Sequence, residues 1–261
     1  MSVDPPLALI TGSAKRLGAH LAITLAQSGW DVVIHFNHSQ SDALHVAQAI
    51  RELGQNAWTI KANLESADEA VNLIKFCVKD IRLPNLLINN ASFFGFDNPY
   101  TAHSSDMARH YQINTIAPIL LTQHYYEAIK SHTNPTRALT INILDQKLFN
   151  QNPDFLSYTL SKVALHTATE LLARSFAPIL RVVGIAPGLT LPSHQQSQQS
   201  FEWAHQQTPM GCSSTPQDIA KTVLFLTQAT SITGTTLVVD GGQHLLPLSR
   251  DIIFSKQSNQ L

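Results

Sequence analysis

Tyr158 and Lys162 stand four residues apart in Ser157–Ser175, a stretch with helical periodicity, so both side chains leave one face of the helix. A free tyrosine, with a pKa of about 10, is a poor proton shuttle at neutral pH. A neighbouring ammonium stabilises the phenolate and is expected to bring that value down toward a working range. Alone, a Tyr-x-x-x-Lys spacing is commonly an ordinary helix surface. The pair needs company before it implies proton transfer.

That company begins at Thr11-Gly12-Ser13-Ala14-Lys15-Arg16-Leu17-Gly18, between the apolar run Leu7–Ile10 and a helix over Leu17–Ser28. A glycine at a strand-to-helix turn lets backbone approach a pyrophosphate, and the helix N-terminus offers N–H groups to its charge. Lys15 and Arg16 add two cations, which favour a cofactor with an extra phosphate. The second apolar run ends His35-Phe36-Asn37-His38-Ser39, with no carboxylate to repel a 2′-phosphate. NADP(H) is therefore expected rather than NAD. His38 reads equally well as a phosphate contact or a plain surface histidine. Asn63-Leu64, after the third run, falls where an adenine edge is read, and the fourth run ends in Asn89-Asn90-Ala91.

The elements that must position these groups alternate. Leu7–Ile10, Asp31–Phe36, Ala57–Lys61, Leu86–Asn89, Ala138–Ile143, Arg181–Ile185 and Thr236–Val239 read as buried strands. Helical periodicity occupies Leu17–Ser28, Ser41–Leu53, Ala67–Asp80, Met107–Ile129, Ser157–Ser175 and Pro216–Gln228. This order predicts an α/β fold, a single Rossmann-like, doubly wound parallel sheet with helices on both faces. One domain is expected over 1–245. Within it, Leu191–Cys212 is polar and weakly patterned, and reads as a mobile substrate loop. The tail 246–261 is expected at the surface or on a neighbouring subunit.

In order and spacing, Thr11-Gly12, Asn89-Asn90-Ala91, Asn114, Tyr158-Thr159-Leu160-Ser161-Lys162 and Pro187-Gly188 resemble the short-chain dehydrogenase/reductase family. The resemblance covers about Leu7 to Leu245 and implies a nicotinamide cofactor and a homotetramer or homodimer. It also implies that Asn114 helps organise a water relay to Lys162, that Lys162 holds the nicotinamide ribose, and that Pro187, Gly188 and Thr190 run past the nicotinamide. Thirteen positions before the tyrosine, where most members carry a serine, stands Asp145. An ionised carboxylate only accepts hydrogen bonds, so it suits a substrate with N–H donors or a ring nitrogen to be protonated. Its plainer reading is a structural aspartate capping the next segment.

Asp145, the Lys15-Arg16-Leu17-Gly18 turn and Asn90-Ala91-Ser92-Phe93-Phe94 together resemble the pteridine reductases, a branch that includes bacterial dihydromonapterin reductases. The likeness implies that Arg16 lies beside cofactor phosphate and pterin, that Ser92 contacts the site, and that Phe94 stacks on the pterin. Phe93 reads better as a buried loop anchor. His35 and Ser39 match the ending of the branch's second strand, while His38 replaces an arginine often found there. The implied reaction is NADPH-dependent pterin reduction with Tyr158, Lys162 and Asp145 delivering the proton.

Composition sets outer bounds. The 261 residues are 44% hydrophobic and 13% charged, enough for a large core, and the formal charge of −1 offers no field for nucleic acid or an anionic membrane. Cys77 and Cys212 make no disulfide framework, and the 12 histidines show no ligand spacing, so no metal is expected. No signal-like start or membrane-length apolar run is read, which predicts a cytoplasmic protein with small-molecule partners. Two alternatives compete: a reductase of another carbonyl or imine substrate, and a nucleotide-sensing module without catalysis. Asn114, Tyr158 and Lys162 argue against the sensor, which has no need of them.

Overall fold

The computed structural model describes residues 4–132, 138–193 and 196–255. Seven strands, β1 (Leu7–Ile10), β2 (Asp31–Phe36), β3 (Ala57–Lys61), β4 (Leu86–Asn89), β5 (Ala138–Ile143), β6 (Leu180–Pro187) and β7 (Thr236–Val239), form one parallel sheet in the order β3-β2-β1-β4-β5-β6-β7. Successive side chains on a strand face opposite ways, and each face here has its own core. Ala8, Ile10, Val32, Ile34, Leu86 and Ile88 join the core under helices α1 (Arg16–Gln27), α2 (Gln40–Glu52) and α8 (Pro216–Gln228). Leu7, Leu9, Val33 and Leu87 join the opposite core, under α3 (Ala67–Phe76), α5 (Ala117–Lys130) and α6 (Leu156–Phe176). Residues buried from both sides leave no polar face, which is why the strands read as continuous apolar runs.

From β1 the chain winds outward to β3 and then returns to place β4 on the other side of β1. Strand order reverses there, and the β1 and β4 loops diverge into a crevice at their carboxyl ends.

Two expected elements differ. The helix expected over Met107–Ile129 begins earlier, as α4 (Ser104–Tyr111), and passes through a wide π-type turn at Gln112–Ile116 before α5. Such turns displace a side chain that regular geometry would aim elsewhere, and this one carries Asn114. The polar stretch expected as a loop contains α7 (Gln198–Gln206), whose N-cap Ser197 accepts from the Ser200 N–H at 3.2 Å. Only Ala204 of α7 is buried, so its apolar pattern is too thin to read. Residues 194–195 of that stretch and 256–261 of the tail lie outside the described residues.

The described part of the tail packs against the rest of the chain. A short helix, α9 (Ile252–Ser255), packs with α7, Ile252 is buried, and Phe254 meets Phe96 at 5.3 Å. Among the described residues no helix is long and apolar enough to cross a membrane.

Candidate active site

A cleft of about 660 Å³ opens at the carboxyl ends of the strands, within the size range of small-molecule sites. Its walls include Gly12, Lys15, Arg16, Leu17 and Gly18, residues 90–94 and 143–147, Tyr158, Lys162 and residues 187–191.

The glycine turn is held from two strands. The Asn90 amide donates to the Thr11 and Gly12 carbonyls at 2.9 and 3.2 Å, and Thr11 Oγ1 accepts from the Asn90 and Ala91 N–H groups. Gly12 has φ +62°, and a Cβ there would come within 2.9 Å of Ala91 Cα. A Cβ on Gly18 would stand 2.4 Å from the Gly12 carbonyl oxygen. From below, His35 bridges the turn to β3: its Nδ1 accepts from the Gly12 N–H and its Nε2 faces the Ala62 carbonyl, both at 3.0 Å. One nitrogen must therefore accept and the other donate, which needs the neutral ring. Burial pushes His35 down to about 4, opposed by the hydrogen bond to Ala62. No sequence signal marked this clamp beyond the presence of His35.

Helix α1 starts with no side-chain cap and no acidic residue in its first turn, which suits an anion at its N-terminus. Arg16 lines the cleft with φ 53°, and its guanidinium donates to the Pro192 carbonyl at 2.8 Å, tying the turn to the chain after β6. Lys15 pairs with Asp42 at 3.0 Å on the surface.

Ser13 lies behind the cleft wall. Its hydroxyl is fully buried and donates to the Ile10 carbonyl at 2.8 Å, so it secures the turn and is not a cleft wall. His38 and Ser39 follow β2, with His38 exposed and Ser39 at the N-cap of α2. Asn63 follows β3 and accepts from the Asn37 amide at 3.2 Å. The Leu64 side chain belongs to the core, leaving only its backbone for any ligand. These four lie outside the cleft walls but at the neighbouring strand ends.

At the other end of the cleft, Tyr158 donates its hydroxyl to Asp145 Oδ2 at 2.8 Å, while the Lys147 N–H donates to Asp145 Oδ1 at 2.9 Å. Asp145 thus caps the turn after β5, as its plainer reading has it, and also accepts from the tyrosine. Burial pushes the Asp145 carboxyl up, against the pull of these two donors and of the Lys147 and Lys162 charges. The expected lowering of the tyrosine pKa is not found. Burial first, and then the charge and hydrogen bond of Asp145, hold the Tyr158 phenol well above its ordinary range. Lys162 instead donates to the Ile143 carbonyl at 2.7 Å, with its Nζ 5.7 Å from the tyrosine ring. Burial takes its ammonium down to about 8, and the Asp145 charge opposes that fall.

Phe94 is half exposed, stacks on Phe155 at 4.4 Å and meets the Tyr158 ring edge-on at 4.7 Å. Phe93, also in the cleft wall and only partly buried, packs on His110 at 4.6 Å under the Arg109 guanidinium. Asn114 fastens this loop. Its Oδ1 accepts from the Phe93 N–H at 2.8 Å and the Ser92 hydroxyl at 3.1 Å, and its amide donates to the Phe93 carbonyl and Ser161 hydroxyl. Asn114 is thus a girder between the aromatic loop and α6, itself behind the cleft wall. After β6, the Gly188 N–H donates to the Val239 carbonyl at 3.0 Å, and Thr190 Oγ1 lies 2.7 Å from the Ser214 hydroxyl. A Cβ on Gly188 would stand 2.4 Å from Ser213 Oγ. Among the described residues no group of three or more His, Cys, Asp or Glu is placed to hold a metal.

The sequence family described as enoyl-(acyl carrier protein) reductase matches residues 12–244. Among curated proteins, the 7α-hydroxysteroid dehydrogenase of Escherichia coli K12 is 29% identical over 248 residues, 93% of this chain and 95% of that protein. Among solved structures, FolM alternative dihydrofolate reductase 1 of Brucella canis, complexed with NADP, is 36% identical with a TM-score of 0.89, covering 96% of this chain and 98% of that one. Its Brucella suis counterpart, also in complex with NADP, is 35% identical with a TM-score of 0.88, covering 96% of this chain and 99% of that one.

Proposed function

The chain belongs to the short-chain dehydrogenase/reductase family of oxidoreductases, and from that premise we propose that it is an NADPH-dependent reductase of pterins, dihydrofolate included. One observation carries the reading: a proton-bearing Tyr158–Asp145 pair at 2.8 Å lies beside the half-exposed ring of Phe94. A flat ring with N–H donors stacks on such a face and finds an acceptor at Asp145.

The cofactor end fits NADPH. Its turn is packed too tightly for side chains at Gly12 and Gly18, α1 presents an uncapped N-terminus, and no carboxylate closes β2. The turn from Gly12 to Gly18 would hold the pyrophosphate, Arg16, His38 and Ser39 the 2′-phosphate side, and Asn63 with the Leu64 backbone the adenine. Asn90, Ala91, Lys162, Pro187, Gly188 and Thr190 would hold the nicotinamide half. NADPH, when bound, supplies the hydride. Tyr158 holds the proton that the ring nitrogen takes up as the adjacent carbon is reduced, because a phenol kept well above its ordinary pKa remains protonated. Asp145 orients that hydroxyl and accepts from the substrate's N–H edge. Lys162 keeps a positive charge beneath the site up to about pH 8. A homotetramer or homodimer is the expected assembly.

The kinship to a steroid dehydrogenase defines the comparison to make. In Asp145→Ser, we expect dihydropterin turnover to fall by about a hundredfold or more, with reduction of a simple ketone unchanged or improved. An equal loss on both substrates contradicts the role given to Asp145.

A further inference from the structure

The site described so far leaves one wall without a role. Beyond β7 the chain returns to the cleft, where Asp251, Ile252 and Ile253 line it. Arg250 Nε and the Asp251 N–H both donate to the buried Asp154 Oδ2 at 2.8 Å, which fixes the start of the segment. The Lys147 ammonium, almost wholly buried, donates to Asp251 Oδ2 at 2.8 Å and to Asn152 Oδ1 at 2.7 Å. Lys147 thus grips two things at once: its backbone N–H holds Asp145, and its side chain holds the tail. The far end is held by rings. Phe254 stacks on Phe155 at 6.1 Å, and Phe155 stacks on Phe94 at 4.4 Å.

We propose that residues 250–254 form a specificity-determining wall on the substrate side of the cleft, locked to the Asp145 turn by Lys147 and Asp251 acting as positioning residues. The inference rests on the pterin reading above. Ile252 and Ile253 give a flat heterocycle an apolar border opposite its polar contacts, and the ion pair fixes where that border stands. Removing one partner of a buried pair leaves the other charge uncompensated, so the lock is sensitive to either residue.

The test uses the full-length protein with Lys147→Met, Asp251→Asn and the double variant. Three quantities are measured: NADPH affinity, kcat and KM for a dihydropterin, and amide hydrogen exchange over residues 246–255. Each single variant is expected to speed exchange in that segment and to raise KM by about tenfold or more, with NADPH affinity within about twofold of wild type. The double variant should be no worse than the worse single, because both remove the same lock. Unchanged exchange overturns the lock, and so does additivity of the two substitutions. Faster exchange with unchanged KM overturns the wall. Should Lys147→Met fail to bind NADPH, Asp251→Asn, which keeps the side chain's size but removes its charge and one of its two acceptor oxygens, decides alone. If the wild type reduces ketones and no dihydropterin, the pterin reading fails, while exchange and the ketone KM of the same variants still decide the wall.

Discussion

At the scale of the residue, the site depends on how three buried ionisable groups share charge. Asp145 raises Lys162 by Coulomb attraction, and burial lowers it, with the balance at about 8. The ammonium is therefore present below that value and lost above it. If turnover needs the charge, kcat should decline as pH rises through about 8. Replacing Asp145 by asparagine removes the attraction and leaves the burial, so the alkaline limb should move to lower pH. A pH–rate profile of the Asp145→Asn variant checks this, and a limb that stays in place or moves upward contradicts the coupling. Tyr158 and Lys162 stood out in the sequence by type and spacing once the accompanying motifs were read, and Asp145 through the family resemblance, where it replaces a serine. The direction of the tyrosine shift could not, because it depends on which neighbour the hydroxyl meets. The ammonium assumed to stabilise a phenolate is committed to the Ile143 carbonyl, and the hydroxyl faces a carboxylate instead.

At the scale of the element, strands were legible because burial on both faces favours uninterrupted apolar runs, as in β1, where all four residues are apolar and buried. Helix α7 was not, since a helix that buries only Ala204 carries almost no periodic signal. Nor was the clamp under the glycine turn, which joins three strands through one imidazole. His35 sits at about 4 in the fold against 6.5 in a free histidine. The unfolded chain thus binds more protons than the native one between those values, and stability must fall as pH drops through that window. The expected loss attributable to His35 is about 3 kcal/mol by pH 4, fully absent above about 6.5. Urea denaturation at neutral and acid pH measures it. In His35→Gln the protein should be less stable at neutral pH but show a shallower acid dependence; an identical acid slope contradicts the clamp.

At the scale of the whole molecule, the reversal of strand order beside β1 makes the crevice, and segments distant in sequence finish it. The alternation of strands and helices was enough to read the sheet, and the glycine turn to read which end of it matters. The docking of the tail was not readable, because Lys147 and Asp251 are 104 residues apart and nothing in either neighbourhood announces the other. Chemistry is likewise decided at this scale, where a tightly packed glycine turn, a Tyr158–Asp145 pair and an aromatic face share one cleft. The most direct test is the rate of NADPH oxidation by the purified wild-type protein with dihydropterins, dihydrofolate and simple ketones compared side by side. We expect dihydropterin turnover to exceed ketone turnover by about a hundredfold in kcat/KM. Ketone reduction without pterin reduction would contradict the roles given to Asp145 and Phe94, and NADPH binding without any turnover would contradict catalysis itself.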